Sequence, residues 1–170
     1  MPTLILPTAE YQQSYIGYIE ELGNEERYPF PLDFAHNDFA ALLKRINNFS
    51  KGVDIPDGFV QSSTYWLVEE HEIIGCTNIR HYLNEQIEHC GGHIGLGIRP
   101  SYRGNGLGHQ LLKLSIDKAR SYGVKTIHIH CHTHNTASSR MIESCGGQLH
   151  SCIKVGGEAI SRYTIGSDPL

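Results

Sequence analysis

The stretch RPSYRGNGLGHQLL, residues 99–112, has glycines at three of the five positions 104–108, directly before a leucine-rich segment. It follows the strand-like run GGHIGLGIRP and leads into leucines at helical spacing. Glycine is a poor helix former unless another group must approach the backbone closely. The first N–H groups of a helix lack partners within it, and the helix dipole makes that end positive. The pattern therefore predicts a strand–loop–helix unit whose loop holds a phosphate, with Arg103 adding a fixed positive charge.

Two common nucleotide-binding motifs do not fit this loop. A Walker loop requires G-x-x-x-x-G-K-[ST], and the sequence has no such run. A dinucleotide-binding fingerprint requires G-x-G-x-x-G and then an acidic residue about 20 positions later. Here the glycines read G-N-G-L-G, and the next strand ends HIHCHTHN without an acid. A nucleotide-dependent oxidoreductase is therefore disfavoured.

The remaining periodicity predicts one mixed α/β domain in the order β-α-α-β-β-β-α-β-α-β-β. Helices are expected over residues 8–22, 37–49, 107–122 and 135–147. Strands are expected in TLILPT, TYWLVEE, EIIGCTNIRH, GGHIGLGIRP, KTIHIHCH, QLHSCIKV and EAISRYTI. The stretch 25–35 contains two prolines and is predicted to be a loop. Gly156–Gly157 is predicted to form the turn of the last hairpin.

Bulk composition excludes several classes of function. The formal net charge is −4 and the pI is about 6.2, which disfavours a nucleic-acid partner. No apolar run approaches the ~20 residues that a membrane span needs, and the first ten residues lack a signal-peptide pattern. Five cysteines, without a C-x-x-C pair, indicate free thiols. We therefore expect a cytoplasmic protein with no membrane partner.

The spacing Arg103-x-x-Gly106-x-Gly108 resembles the coenzyme A pyrophosphate motif, [RQ]-x-x-G-x-[GA], of the GNAT superfamily of N-acetyltransferases. A second signature of that family is similar to NTASSRMIESCGG. Its matching positions are Asn135, Ser138, Glu143 and Gly146. The resemblance covers about residues 64–165, and both signatures stand in the family order. It extends to a subgroup of predicted acetyltransferases that carry NIRH and GGHIG before the loop.

The resemblance implies a GNAT-like α/β fold with a mixed, mostly antiparallel sheet of about seven strands and about four flanking helices. The sheet is expected to splay between two parallel strands, and Gly95 and Gly97 suit a bulge that opens the splay. A single domain, 1–170, is implied, with acceptor-side helices and loops at 1–63 and an acetyl-CoA-binding core at 64–165. The residues implied in binding acetyl-CoA are Ile98, Arg99, Arg103, Gly104, Asn105, Gly106, Leu107, Gly108, Asn135 and Ser138.

The implied reaction is direct attack of an amine, from a small molecule or a peptide, on the acetyl thioester. Many family members supply an acid from a tyrosine in the second signature, but Ile142 stands at that position here. Ser138 or a bound water is the candidate substitute. His93 is the candidate base, because imidazole titrates near neutral pH. The alternatives are that His93 is a structural strand residue, and that the whole chain is a non-catalytic acyl-CoA-binding module.

Three further expectations concern the acceptor, the histidines and assembly. Asn78, Arg80 and His81 are candidate acceptor-binding residues, with an exposed strand end as the alternative. An acidic cluster, Glu20, Glu21, Glu25 and Glu26, suits a cationic amine or a solvated helix end. HIHCHTH places four histidines at every second position; in a strand such neighbours lie ~7 Å apart, so no metal site is predicted. Homodimer formation stays open, since no residue pattern indicates it.

Overall fold

The computed structural model describes residues 1–166, and seven strands in it form two antiparallel sheets. The first sheet has the order β1-β2-β3-β4 and the second the order β5-β7-β6. The strands are β1 Thr3–Ile5, β2 Ser62–Glu69, β3 Glu72–Arg80, β4 Ile94–Ile98, β5 Ile127–His132, β6 Gln148–Val155 and β7 Glu158–Ile165. The helices are α1 Gln12–Leu22, α2 Phe39–Lys51, α3 Glu85–His89, α4 Leu107–Ser121 and α5 Thr136–Ser144.

The first sheet is covered on both faces, because successive side chains of a strand point to opposite sides. Trp66 and Val68 of β2 pack against α1 and α2, in a cluster that includes Tyr15 and Leu42. The intervening Leu67 packs with Leu111 of α4 on the other face. These strands are buried almost throughout, which explains why their sequences read as near-continuous apolar runs.

The second sheet builds a separate part of the core beneath α4 and α5. Ile127 and Ile129 of β5 pack with Tyr163 and Ile165 of β7. Leu112, from α4, belongs to the same cluster. Helix α4 therefore contacts both sheets, and it places the loop before it at the edge where the sheets meet.

The expected strand count and mixed α/β class match the structure, with two differences in detail. Four helices have nine or more residues, as expected, and a fifth, α3, has five. The sequence reading missed α3, which Asn84 caps by accepting a hydrogen bond from Ile87 N at 2.8 Å. The stretch 25–35 also contains a 3₁₀ turn, Phe30–Asp33. No helix within residues 1–166 has the length and apolar character that crossing a membrane requires.

The bulge expected at Gly95 and Gly97 is wrong. The ladder between β3 and β4 runs without a register shift across all five residues of β4. Both glycines instead face the loop between α1 and α2. A Cβ on Gly95 would lie 3.5 Å from the ring of Tyr28, and one on Gly97 would overlap the Tyr28 carbonyl oxygen. The glycines therefore allow this loop to pack directly on the strand.

Candidate active site

The facing edges of the two sheets, β4 and β5, enclose a cleft of about 1090 Å³. An isolated bridge between Gly92 and Ile129 joins the sheets near the start of both strands. Beyond it the cleft is lined by residues of β4 and β5, by the loop before α4 and by the first residues of α5. The chain therefore has the splay that the sequence suggested, closed at one end and open at the other.

Two histidine rings, His93 and His130, lie where the two edge strands approach each other, and only His130 lines the cleft. His93 N donates to His128 O at 2.7 Å, and His128 N donates back to Nδ1 of the His93 ring at 2.9 Å. Gly91 N donates to Nδ1 of His130 at 2.9 Å. The rings thus accept hydrogen bonds from backbone N–H groups where the two edge strands diverge.

The position of His93 favours its structural alternative over a catalytic role. It is 6% exposed, its Nδ1 already accepts a hydrogen bond, and it does not line the cleft. Burial, with nearby His128 and Arg80, lowers its pKa to about 4. A base with so low a pKa is a weak proton acceptor near neutral pH.

We expect the free energy of unfolding to fall as the pH drops from about 6.5 to about 4. The pKa of His93 is 6.5 in the unfolded reference and about 4 in the fold, so the unfolded chain binds more protons in this window. A shift of this size is equivalent to about 3 kcal/mol for one group. Urea unfolding at several pH values measures the effect.

His93→Gln is the matched variant, because its amide oxygen can accept the His128 N–H without titrating. Its unfolding free energy should depend less steeply on pH than that of the wild type. Parallel curves for the two proteins would show that His93 is not a source of the acid sensitivity.

The loop before α4 presents an open, uncapped helix start to the cleft. Gly104 and Gly106 have φ angles of 83° and 75°, in the left-handed region that favours glycine. No heavy atom lies within 4 Å of a Cβ built on either residue. Gly106 is the N-cap of α4, and no side chain caps the helix. The N–H groups of Leu107 and Gly108 therefore begin a positively polarised surface that an anion can approach.

Arg103 lies beside this surface and is held by two contacts. Its Nε donates to Ile98 O at 3.0 Å, and its Nη1 pairs with Glu25 at 2.8 Å. Both side chains of the ion pair are nearly half exposed, so the pair adds little to stability. Arg103 can therefore turn from Glu25 to an anion on the helix start at small cost. Asn105 lies between the two glycines, with its side chain donating to Tyr102 O.

Arg99 does not fit the cofactor-binding role that was expected of it. Its side chain is buried, pairs with Glu21 at 2.8 Å and donates to Ser14 Oγ and Ile73 O. It does not line the cleft. Pro100 follows it and begins a 3₁₀ turn, so the chain changes direction between Arg99 and the glycine loop. Arg99 therefore ties α1 to the first sheet.

The second signature forms the far side of the cleft mouth. Asn135 caps α5 by accepting a hydrogen bond from Ser138 N at 3.1 Å, and both residues line the cleft. Ile142, one turn further, is 1% exposed and packs in the core of the second sheet. The helix therefore offers no phenol at the position where the family commonly has one.

The three residues expected to bind the acceptor are engaged elsewhere and do not line the cleft. Asn78 is 2% exposed and donates to Ser62 and Thr64. Arg80 donates to Gly92 O at 2.7 Å, and His81 stacks on Tyr122 with ring centroids 3.9 Å apart. The structure disfavours this expectation, because the side chains of Asn78 and Arg80 in β3, and of His81 just beyond its end, are already engaged in hydrogen bonds or ring stacking.

Two cleft residues were not singled out by the sequence reading. Tyr28 lies against Gly95 of β4, and its hydroxyl has no hydrogen bond within residues 1–166. Although the residue is 48% exposed, partial burial of its phenol raises its pKa. His130 is 7% exposed, and its Nε2 has no partner among the described residues. Because Nδ1 accepts a hydrogen bond, Nε2 carries the proton of the neutral ring.

The members of the acidic cluster have different surroundings: one forms a structural ion pair and two line the cleft. Glu21 pairs with Arg99, whereas Glu25 and Glu26 line the cleft near Tyr28. Glu158, at the start of β7, lines it from the opposite side. The cleft lining therefore carries three carboxylates, of which Glu25 is paired with Arg103 beside the start of α4.

The histidines of HIHCHTH do not all share one strand face. Strand β5 ends at His132, and the chain turns before His134. The two rings stack with centroids 5.3 Å apart. The ~7 Å separation expected for this pair is therefore wrong, because it assumed an extended strand through residue 134.

Comparison with protein families shows which family this chain matches. The family model described as Acetyltransferase (GNAT) family matches residues 20–146, which include β4, the glycine loop and both signatures. No curated protein sequence matches the chain.

Solved structures share the whole fold at low sequence identity. Ribosomal-protein-S5-alanine acetyltransferase from Vibrio fischeri has a TM-score of 0.73 and 14% identity, covering 98% of this chain and 93% of that one. RimL, the ribosomal L7/L12 α-N-protein acetyltransferase solved with coenzyme A, has a TM-score of 0.71 and 15% identity. The match covers 98% of this chain and 94% of RimL. An acetyltransferase structure from Salmonella typhimurium with acetyl-CoA has a TM-score of 0.66 and 15% identity. The match covers 99% of this chain and 95% of that one.

Proposed function

The chain belongs to the acetyltransferase (GNAT) family, and on that premise we propose that it transfers the acetyl group of acetyl-CoA to a primary amine by direct attack. The observation that carries the proposal is the open start of α4, bordered by Arg103 at the mouth of the cleft. A diphosphate suits this surface, because it combines free N–H groups, a favourable helix dipole and a guanidinium. The relatives solved with coenzyme A or acetyl-CoA support the choice of ligand.

The rest of the cosubstrate is proposed to lie along β4. This strand is the last of its sheet, so its outer edge can pair with an extended amide-containing arm as an added strand would. Ile98, at the end of β4, would contribute backbone groups beside the glycine loop. Asn135 and Ser138 would border the arm from the other side of the cleft.

Tyr28 and His130 are the proposed polar groups around the reacting atoms. Acetyl-CoA supplies an activated acetyl group and a thiolate leaving group. The raised pKa of Tyr28 keeps its phenol protonated near neutral pH, so its hydroxyl can donate to the departing sulfur. The unpartnered Nε2–H of His130 can donate to an oxygen that gains negative charge. Ser138 stays a second candidate donor because it also lines the cleft.

The acceptor is proposed to be a cationic amine that loses its proton to solvent water before attack. Glu26 lines the cleft, where its carboxylate would attract an ammonium group. Among structurally similar proteins whose names state a substrate, two are acetyltransferases of ribosomal proteins and two are spermidine N-acetyltransferases. Both small amines and peptide N-termini therefore belong in a substrate screen.

Ligand-dependent melting and thiol release test the proposal together. Acetyl-CoA and coenzyme A should each raise the melting temperature, whereas NADH and ATP at the same concentration should raise it much less. Release of free thiol from acetyl-CoA should then depend on one class among amines, polyamines, amino acids and peptides.

The two readouts separate the competing functions. Stabilisation by acetyl-CoA with no amine-dependent thiol release across the panel would favour the non-catalytic acyl-CoA-binding module. The absence of stabilisation by any coenzyme A thioester would contradict both functions.

A further inference from the structure

We propose that His132, His134 and Glu158 form a binding site for a divalent transition-metal ion such as Zn²⁺. One ligand atom from each residue lies within 4.8 Å of the other two. The group stands at the rim of the cleft, where the end of β5 meets the start of β7. The proposal concerns metal binding by this chain and does not depend on acetyl transfer.

The local backbone holds the two histidines together. Thr133 N donates to Ala159 O at 2.9 Å and Thr133 Oγ1 bonds to Ser161 Oγ at 2.9 Å, which fixes the residue between the histidines to β7. Asn135 N then donates to His132 O at 2.9 Å, which closes the turn. The ring of His134 consequently stacks on that of His132 with an interplanar angle of 25°.

Glu158 reaches the histidine pair from the neighbouring hairpin. It directly follows the Gly156–Gly157 turn, and β7 pairs with β5 so that Ile160 lies opposite His132. Glu158 therefore extends past the end of β5. Its Oε2 lies 3.5 Å from His132 Nδ1.

One ligand atom of the cluster, His132 Nδ1, has its hydrogen-bonding capacity unsatisfied by the described residues. His132 Nδ1 has no accessible surface and no hydrogen-bond partner among residues 1–166, although it faces the carboxylate of Glu158. A polar atom without a partner in such surroundings costs free energy. An ion between the imidazole and the carboxylate would satisfy both groups.

The chemical types of the three ligand atoms indicate which class of metal ion would bind. Two imidazoles and one carboxylate are typical of zinc sites that keep a fourth position for water, whereas Mg²⁺ and Ca²⁺ prefer oxygen ligands. Donor atoms about 2.1 Å from a tetrahedral ion lie about 3.4 Å apart. The observed separations need to close by at most about 1.4 Å to reach that tetrahedral spacing, and His134 and Glu158 are exposed, so side-chain rotation can achieve this.

Titration of the tag-free, metal-stripped full chain with ZnCl₂ alone tests the site. We expect one Zn²⁺ per chain with a dissociation constant in the micromolar range or tighter, measured by competition with a chromophoric chelator. His134→Ala and Glu158→Gln should each weaken binding at least tenfold. Both residues are exposed, and unchanged thermal melts of the metal-free variants would confirm that the fold is retained.

Two controls distinguish this site from adventitious binding. His150→Ala removes an exposed histidine of β6 outside the cluster and should leave the affinity unchanged. The spectrum of the Co²⁺ protein should lack thiolate charge transfer, because the proposed ligands include no cysteine. Binding weaker than the micromolar range, binding unaffected by both cluster variants, or a thiolate spectrum would each overturn the proposal.

Discussion

Replacing Gly106 with valine is expected to weaken acetyl-CoA binding at least tenfold while the protein stays folded. Gly106 has a φ of 75°, a conformation that β-branched residues avoid, and it is the N-cap of α4. Valine would either move the loop or project its side chain into the open space over the helix start. Either change removes N–H groups from the surface proposed to hold the diphosphate. Titration calorimetry with acetyl-CoA measures the change, and a tenfold loss is about 1.4 kcal/mol of binding free energy.

Gly123→Val is the matched control for this variant. Gly123 has a φ of 88°, lies just after the other end of α4, and like Gly106 has no neighbour within 4 Å of a built Cβ. Both variants should lose about 1–3 kcal/mol of stability from backbone strain. Only Gly106→Val should lose affinity for acetyl-CoA. Equal affinities in the two variants would contradict the proposal that the start of α4 binds the diphosphate.

The features that the sequence predicted well are encoded locally. The left-handed glycines, the helix that follows them and the Asn135 cap each depend on residues within a few positions of one another. The turn at Gly156 and Gly157, with φ angles of 57° and 83°, is local in the same sense. Such features can be predicted from a single sequence because backbone sterics and helix capping act over short distances along the chain.

The residues that were misplaced depend on contacts between distant parts of the chain. Nothing near Arg99 indicates that its partner is Glu21, in a helix far earlier in the sequence. Tyr28 reaches the cleft only because Gly95 and Gly97 leave room for its loop on β4. The same two glycines suggested a bulge when the strand was considered alone. Strand periodicity assigns residues to faces, but it does not say what packs on each face.

The second large effect is expected from Tyr28→Phe, which should lower kcat about 10- to 100-fold with little change in acetyl-CoA affinity. Phenylalanine keeps the ring that lies against Gly95 and removes only the hydroxyl. General acids contribute about 10²–10⁴-fold, and a thiolate needs less assistance than most leaving groups, so the expected effect lies at or below the bottom of that range. The raised pKa keeps the phenol protonated at neutral and mildly alkaline pH, so wild-type activity should not decline there through loss of this proton. Steady-state kinetics with the best amine measures the effect.

A substrate with a different leaving group distinguishes proton donation by Tyr28 from a purely structural role of its hydroxyl. An acetyl thioester of an acidic aryl thiol releases a thiolate that needs no proton, so the wild-type and Tyr28→Phe values of kcat/KM should converge on this substrate. Tyr82→Phe, at an exposed tyrosine that does not line the cleft, should match the wild type on both thioesters. If the Tyr28→Phe defect were equally large with the aryl thioester, the hydroxyl would be positioning the substrates rather than protonating the sulfur. The proton donor would then have to be sought at Ser138 or in bound water, the other candidates at this end of the cleft.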